Sequence, residues 1–240
     1  MINVDTAEAQ AEPTNPGGVA AVNRALAIME VVESAAAPIS LTEIARRSGL
    51  YKSTVLRLLD SLQGSAYVAR LDSGNYVLGP AILRMGIAYE CANPLRKQLQ
   101  PVLARLVRTA GESASFHIRH GRSARLCVLR IDAEHGILDR VRQGDILPLD
   151  RGAAGKVITS ASGRTLGIVQ EGDVMVSLGE RDVTCAGIAA PVYSAGRLFL
   201  GAVSLSGPKD RFTPGDLDRM RPILIEACNC ASRLLGMTSA

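Results

Sequence analysis

The run Leu41-Thr-Glu-Ile-Ala-Arg-Arg-Ser-Gly-Leu-Tyr-Lys-Ser-Thr-Val-Leu-Arg-Leu-Leu-Asp-Ser-Leu62 decides how this chain is read. Two helical segments abut in it. Ser40 or Thr42 can cap the first, Leu41 to Arg47, because a hydroxyl accepts from the unpaired N–H groups of a first helical turn. Ser48-Gly49 then gives a turn that glycine makes at little steric cost. In the second segment Val55, Leu58, Leu59 and Leu62 share one helical face and leave Ser53, Thr54, Arg57 and Ser61 on the other, and Gly64 ends it. Upstream, Val22, Ala25, Leu26, Met29 and Val32 recur at helical spacing and predict a first helix that stops before Pro38. Downstream, Tyr67 to Leu71 and Asn75 to Leu78 read as short strands around the turn formers Asp72-Ser73-Gly74. Three helices with a tight turn between the last two, followed by a hairpin, make a winged helix-turn-helix whose third helix enters the major groove of DNA.

The side chains agree with that reading. From Ile44 to Leu59 there are four basic residues, Arg46, Arg47, Lys52 and Arg57, and no acidic one, so this surface can approach phosphates. Arg57 is the candidate for a base edge, since a guanidinium can bond guanine O6 and N7 in parallel. Ser53 and Thr54 at the helix start can reach phosphate or base with hydroxyls and backbone N–H groups. Arg70, Ser73 and Asn75 are the wing's candidates for backbone or minor groove. Residues 20–80 as a whole carry six basic and five acidic side chains, so bulk charge does not select DNA. A purely structural trihelical module with a solvated basic face stays open, as does a head that docks on a protein.

The remainder of the 240 residues suffices for a second unit, and 47% hydrophobic content can fill two cores. Residues 1–18 carry Asp5, Glu8 and Glu12 without a basic residue and read as a disordered tail, not a secretory signal. Pro80 opens a helical stretch, Ala81 to Cys91, and Asn93-Pro94 separates it from another, Leu95 to about Thr109. The expected domains are therefore the head at 19–80, a linker helix at 81–94 and a C-terminal domain at 95–240. In the last, Ser113 to His120 and Ala124 to Ile131 read as strands around Gly121-Arg122-Ser123, and Gly187 to Tyr193 pairs with Arg197 to Ser206. Gly152 to Ser160 reads as a helix. Thr213-Pro214-Gly215-Asp216 holds a capping residue, a first-turn proline and an acid three residues on, and begins a helix to about Leu235. The fold class is α+β.

Catalytic patterns are missing from the sequence. Gly152-Ala-Ala-Gly-Lys156 lacks the phosphate loop's leading glycine and trailing hydroxyl, those places holding Asp150 and Val157. His117, His120 and His135 have neither zinc spacing nor a nucleophile elbow, and His117 and His120 fall on opposite strand faces. They read as core or surface residues. Cys91, Cys127, Cys185, Cys228 and Cys230 form an odd set without metal spacing, which suits reduced thiols in a cytoplasm. No apolar run approaches the roughly 20 residues of a membrane span. Neither enzyme activity, metal nor cofactor is expected. A net charge of +4 is compatible with nucleic acid without requiring it.

The run from Leu41 to Leu62 resembles the helix-turn-helix of the IclR (isocitrate lyase regulator) family. The likeness includes Arg24-Ala25-Leu26, the wing Tyr67 to Gly79, Leu147-Pro148-Leu149 with Gly152 to Lys156, Gly187-Ile-Ala-Ala-Pro-Val192 and Ser204-Leu-Ser-Gly-Pro208. It spans nearly the whole chain beyond the tail. It implies a homodimer or a dimer of dimers on a palindromic operator and a GAF-like C-terminal domain that binds a small-molecule effector, a carboxylate or aromatic acid. On DNA it implies Arg24, Thr42, Arg46, Arg47, Tyr51, Lys52, Ser53, Thr54 and Arg57 with the wing residues. Tyr51 stands where the family usually has proline. For the effector the matching positions are Ala153 and Ala154 on the loop-helix element, Ser177, Gly187, and Ser204 with Ser206. A spacing of two puts both of the last hydroxyls on one sheet face, though a half-exposed strand looks the same, and Ala153 and Ala154 also suit close helix packing. The stretch between Lys156 and Gly187 is shorter than is usual in the family.

Overall fold

The computed structural model describes residues 18–92, 94–134, 139, 141–161, 168–194 and 197–236. The expected tail, apart from Gly18, and His135 lie outside the described residues. Backbone contacts divide the chain into two compact units, Met1–Ala92 and Asn93–Ala240.

The first unit runs α1 (Ala20–Glu33), α2 (Leu41–Ser48), α3 (Lys52–Gly64), β1 (Val68–Arg70), β2 (Tyr76–Leu78) and α4 (Pro80–Ala92). Ser40, not Thr42, caps α2: its hydroxyl accepts from the Glu43 N–H at 3.2 Å. Gly49 closes that helix with φ of 66°, a left-handed conformation that a side chain would strain, and this lets α3 start three residues later. Ile28, Val32, Ile44, Val55, Leu59, Val68 and Tyr76 make the core. The hairpin is tied to it through Ile39, which exchanges backbone hydrogen bonds with Tyr76 at 3.0 and 2.8 Å. The stripe in α1 differs from the expectation in one respect. The helix forms, but its buried positions are Ile28 and Val32 in its second half, while Val22 and Leu26 are 54% and 53% exposed. Its first half overhangs the core. In α4 only Ala81 is buried, and Leu83, Met85, Ile87 and Tyr89 are all exposed.

The second unit runs α5 (Pro94–Ala110), β3 (Ser113–His120), β4 (Ala124–Ile131), β5 (Ile146–Pro148), α6 (Ala153–Ala161), β6 (Met175–Leu178), β7 (Cys185–Tyr193), β8 (Phe199–Pro208) and α7 (Pro214–Gly236). Its six strands form one sheet in the order β5-β4-β3-β8-β7-β6, each pair antiparallel. Strand alternation sorts the two faces. Ala114, Phe116, Ile188, Val203 and Leu205 join α5 and α7 in the main core. Ala189 and Ala202 instead pack with Val157 and Ile158 of α6. At the start of α7 the Thr213 hydroxyl accepts from the Asp216 N–H at 3.3 Å, and the Asp216 carboxylate accepts from the Thr213 N–H at 3.2 Å, the reciprocal cap expected from sequence. The expectations missed β5 and β6. Strands of three and four residues at the sheet edges are too short for their alternation to register.

Candidate nucleic-acid interface and ligand cavity

On the head, α3 presents Lys52, Ser53 and Arg57 to solvent, with Thr54 half-buried and Val55 and Leu59 turned inward. Tyr51, just before the helix, is 87% exposed. Among the described residues no acidic side chain pairs with Lys52 or Arg57. Arg46 and Arg47 differ. Arg46 donates from Nε and Nη2 to the two Glu43 oxygens at 2.8 and 2.7 Å, and Arg47 Nε donates to Glu43 Oε1 at 2.6 Å. These bonds hold the Glu43 carboxyl down to about 2, the hydrogen bonds from Arg46 and then Arg47 being the main causes. The acid-free window of the sequence begins one residue too late to include Glu43, whose i,i+3 and i,i+4 spacing puts it on the face of both arginines. Arg24 and Thr42 are exposed on α1 and α2. In the wing, Arg70 lies over the Tyr76 ring at 5.8 Å, and the Asn75 N–H donates to Ser73 Oγ at 3.5 Å.

In the second unit a cleft lies on the sheet face that carries α6, with about 440 Å³ of empty space including its open mouth. Ala153, Ala154, Ser177, Gly187, Ser204 and Ser206, from four separate stretches of the sequence, all line it. Register explains their convergence, because Ser206 lies opposite Gly187 and Ser204 opposite Ala189 on β7, while Gly187 lies opposite Ser177 on β6. A Cβ at Gly155 would collide with the Leu149 carbonyl, so only glycine lets α6 sit this close to the strand end before it.

The cleft also gathers Ser115, His117, Arg125, Asp139 and Arg181, which the sequence reading did not assign to it. Ser115 lies across from Ser204, and their hydroxyls are 3.0 Å apart. Ser115 Oγ is in turn 2.9 Å from His117 Nε2, while His117 Nδ1 is buried without a partner. Burial first, then the charges of Arg125, Arg130 and Arg181, hold His117 down to about 3, so its ring is neutral near pH 7. Asp139 is buried beside Arg130 Nη2 at 2.5 Å and Arg181 Nη2 at 3.5 Å. Arg125 has no acidic partner among the described residues. Its Nη1 donates to the Pro148 carbonyl and, at 2.9 Å, to the Arg151 carbonyl, and its Nε is buried and unpartnered. Burial, then repulsion by Arg181, lowers it to about 10. The signal that could have found these residues is alternation: Ser115 and His117 interleave with core residues Ala114 and Phe116, as Ser204 and Ser206 do with Val203 and Leu205. Cys185 lines the cleft, Cys127 and Cys228 are buried, and all five cysteines are free. Among the described residues no group of His, Cys, Asp and Glu could hold a metal ion, and no helix is long and apolar enough to cross a membrane.

An exposed cationic reading helix, followed in the chain by a sheet domain with a polar cleft, defines a DNA-binding protein of the winged helix-turn-helix class. The chain belongs to the IclR family of bacterial transcriptional regulators: residues 21–72 match the IclR helix-turn-helix domain and residues 88–167 the bacterial transcriptional regulator IclR C-terminal domain. It is 27% identical to the glycerol operon regulatory protein of Streptomyces griseus, over 82% of this chain and 87% of that one. It is 26% identical to the transcriptional repressor AllR of Salmonella typhimurium, over 95% of this chain and 94% of that one. The fold is similar to that of an IclR homolog from Microbacterium hydrocarbonoxydans complexed with 4-hydroxybenzoate, with a TM-score of 0.75, 17% identity and coverage of 90% and 98% of the two chains. The relatives are regulators and repressors, not enzymes.

Proposed function

We propose that this regulator works in the cytoplasm as a homodimer or dimer of dimers on a palindromic operator, and that a small acid bound in the C-terminal cleft controls its grip on DNA. The observation that carries the DNA half is the outer face of α3, where Lys52 and Arg57 stand exposed and no carboxylate among the described residues pairs with them. Arg57 reads a guanine, Lys52, Ser53 and Thr54 set the helix on the backbone, Tyr51 adds a contact ahead of it, and Arg70, Ser73 and Asn75 follow from the wing. Arg24, Thr42, Arg46 and Arg47 flank the groove, the last two leaving Glu43 for phosphate. The exposed apolar residues Leu83, Met85, Ile87 and Tyr89 of α4 support self-association, since a run of this kind is costly to leave in water.

Convergence of Ala153, Ala154, Ser177, Gly187, Ser204 and Ser206 on one cleft supports the effector half. Control requires the acid to bind the two states of the protein with different affinity, since a ligand indifferent to them shifts nothing. The decisive experiment selects bound duplexes from a random pool, with Arg57→Ala alongside and at two salt concentrations. A two-fold symmetric site that weakens with salt and loses definition at one base pair per half-site in the variant is expected. Recovery of no site in any condition would sink the operator reading.

A further inference from the structure

We propose that the cleft takes a small hydroxylated carboxylate, its carboxylate paired with Arg125 beside the start of α6 and a hydroxyl paired with His117. This rests on the effector reading and narrows it away from aromatic acids. Arg125 is 3% exposed, and a guanidinium so placed is costly to leave without an anion. Asp139, the one carboxylate among the described lining residues, is taken by Arg130 and Arg181, so Arg125 is left without an acidic partner among the described residues. Its Nη1 reaches the carbonyls of Pro148 on β5 and Arg151 two residues before α6, so an anion on the guanidinium lies beside the positive end of that helix, where the Gly152 N–H already donates to Glu180 at 3.4 Å.

His117 supplies the second element. It is 3% exposed and lines the cleft, and its Nε2 is engaged by Ser115, leaving Nδ1 with nothing to bond. A neutral imidazole in either tautomer offers one remaining position, and a hydroxyl can donate to it or accept from it. A carboxylate answers only the tautomer with its proton on Nδ1, and an alkyl group answers neither. The rest of the lining agrees: Ser115, Ser177, Ser204 and Ser206 bring four hydroxyls, and among the described lining residues neither Phe, Tyr nor Trp stands ready to stack on an aromatic ring.

The experiment measures calorimetric affinity and thermal midpoint of the full-length protein with a matched set of probes. Glycerate carries charge and hydroxyls, propionate lacks the hydroxyls, glyceramide lacks the charge and 4-hydroxybenzoate presents an aromatic ring. Glycerate is expected to bind at least about tenfold more tightly than each of the others, the scale of a buried polar group left unpaired. Arg125→Lys keeps a cation but loses the fork and should weaken glycerate by about tenfold or more. His117→Asn should bring glycerate and propionate to similar affinities while glyceramide stays weak. Tighter binding of propionate or 4-hydroxybenzoate than of glycerate would overturn the proposal, as would no binding of glycerate at millimolar concentration. Those wild-type comparisons decide the matter even if a variant fails to fold, which is a real risk for Arg125 because it also braces two carbonyls. Repeating the titration with operator DNA separates the two claims. Glycerate that binds through Arg125 but leaves DNA affinity unchanged defeats the effector reading and leaves this site standing; another molecule that releases DNA while glycerate does not bind does the reverse.

Discussion

Arg57 on α3 and Arg125 on β4 are both arginines without a carboxylate partner among the described residues, one in water on the outer face of α3 and the other enclosed beneath a helix start. Water satisfies the first at little cost, so Arg57 can wait for DNA, and its attraction to phosphate or guanine is screened by salt. The second has given up its hydration for two carbonyl bonds, and an anion beside it would act in a medium that screens far less. On the proposed reading the same side chain would serve a surface that must release its partner readily in one unit, and a selective cavity in the other. Arg46 and Arg47 stand between these cases, exposed but tethered to Glu43.

The largest effect is expected where the buried network is broken. Asp139→Ala removes one of the two carboxylates that hold buried Arg130, leaving Asp132 at 2.6 Å, and should cost up to about 3 kcal/mol, read as a lower thermal midpoint of the second unit. An unchanged midpoint would mean that the cleft is wetter than its burial indicates. His117 gives a pH signature of definite sign. Its folded-state value near 3 lies below the ordinary 6.5, so between those values the unfolded chain binds a proton that the folded one refuses. Stability should fall as pH drops below 6.5, by up to about 1.4 kcal/mol per unit from this group, and flatten below 3. The difference between wild type and His117→Asn across that window isolates it from the carboxylates, and parallel curves would refute the assignment.

Arg57→Ala should lower discrimination at its base pair by about 1–3 kcal/mol, whereas Lys52→Ala should weaken all sequences alike and reduce the salt slope by about one. Equal effects from the two would erase the division between reading and anchoring. Replacing Ser204 and Ser206 together by alanine should abolish the ligand response and spare DNA binding, and an unaltered ligand affinity would remove them from the site. Least of all, Glu43→Gln should slightly strengthen binding to any duplex at low salt by releasing Arg46 and Arg47. A loss of affinity instead would show that Glu43 holds them in place for DNA.

The head was legible because its signals are local. Ser40, Gly49 and the four-residue spacing of Val55 and Leu59 act within a helical turn or two, and each did in three dimensions what its spacing implied. Even there the sequence pattern did not say that Val22 and Leu26 would overhang the core, because periodicity reports a helix and not the length of its cover. In the second unit the resemblance brought forward Ser204, Ser206, Ala153 and Ala154, but His117 passed for an ordinary core or surface histidine and Arg125 for nothing at all.

What the sequence determined by itself is the order of the helices and the longer strands, the two-part organisation, the cationic face of α3 and the family, since each follows from residues a few positions apart or from motifs in a fixed order. Only the tertiary structure decided that Glu43 occupies Arg46 and Arg47, and that Ser115, His117, Arg125 and Asp139 share one cleft. Strand register and the closeness of α6 bring those residues together across the sheet, and a charge becomes expensive or available according to the water around it, which a sequence does not display.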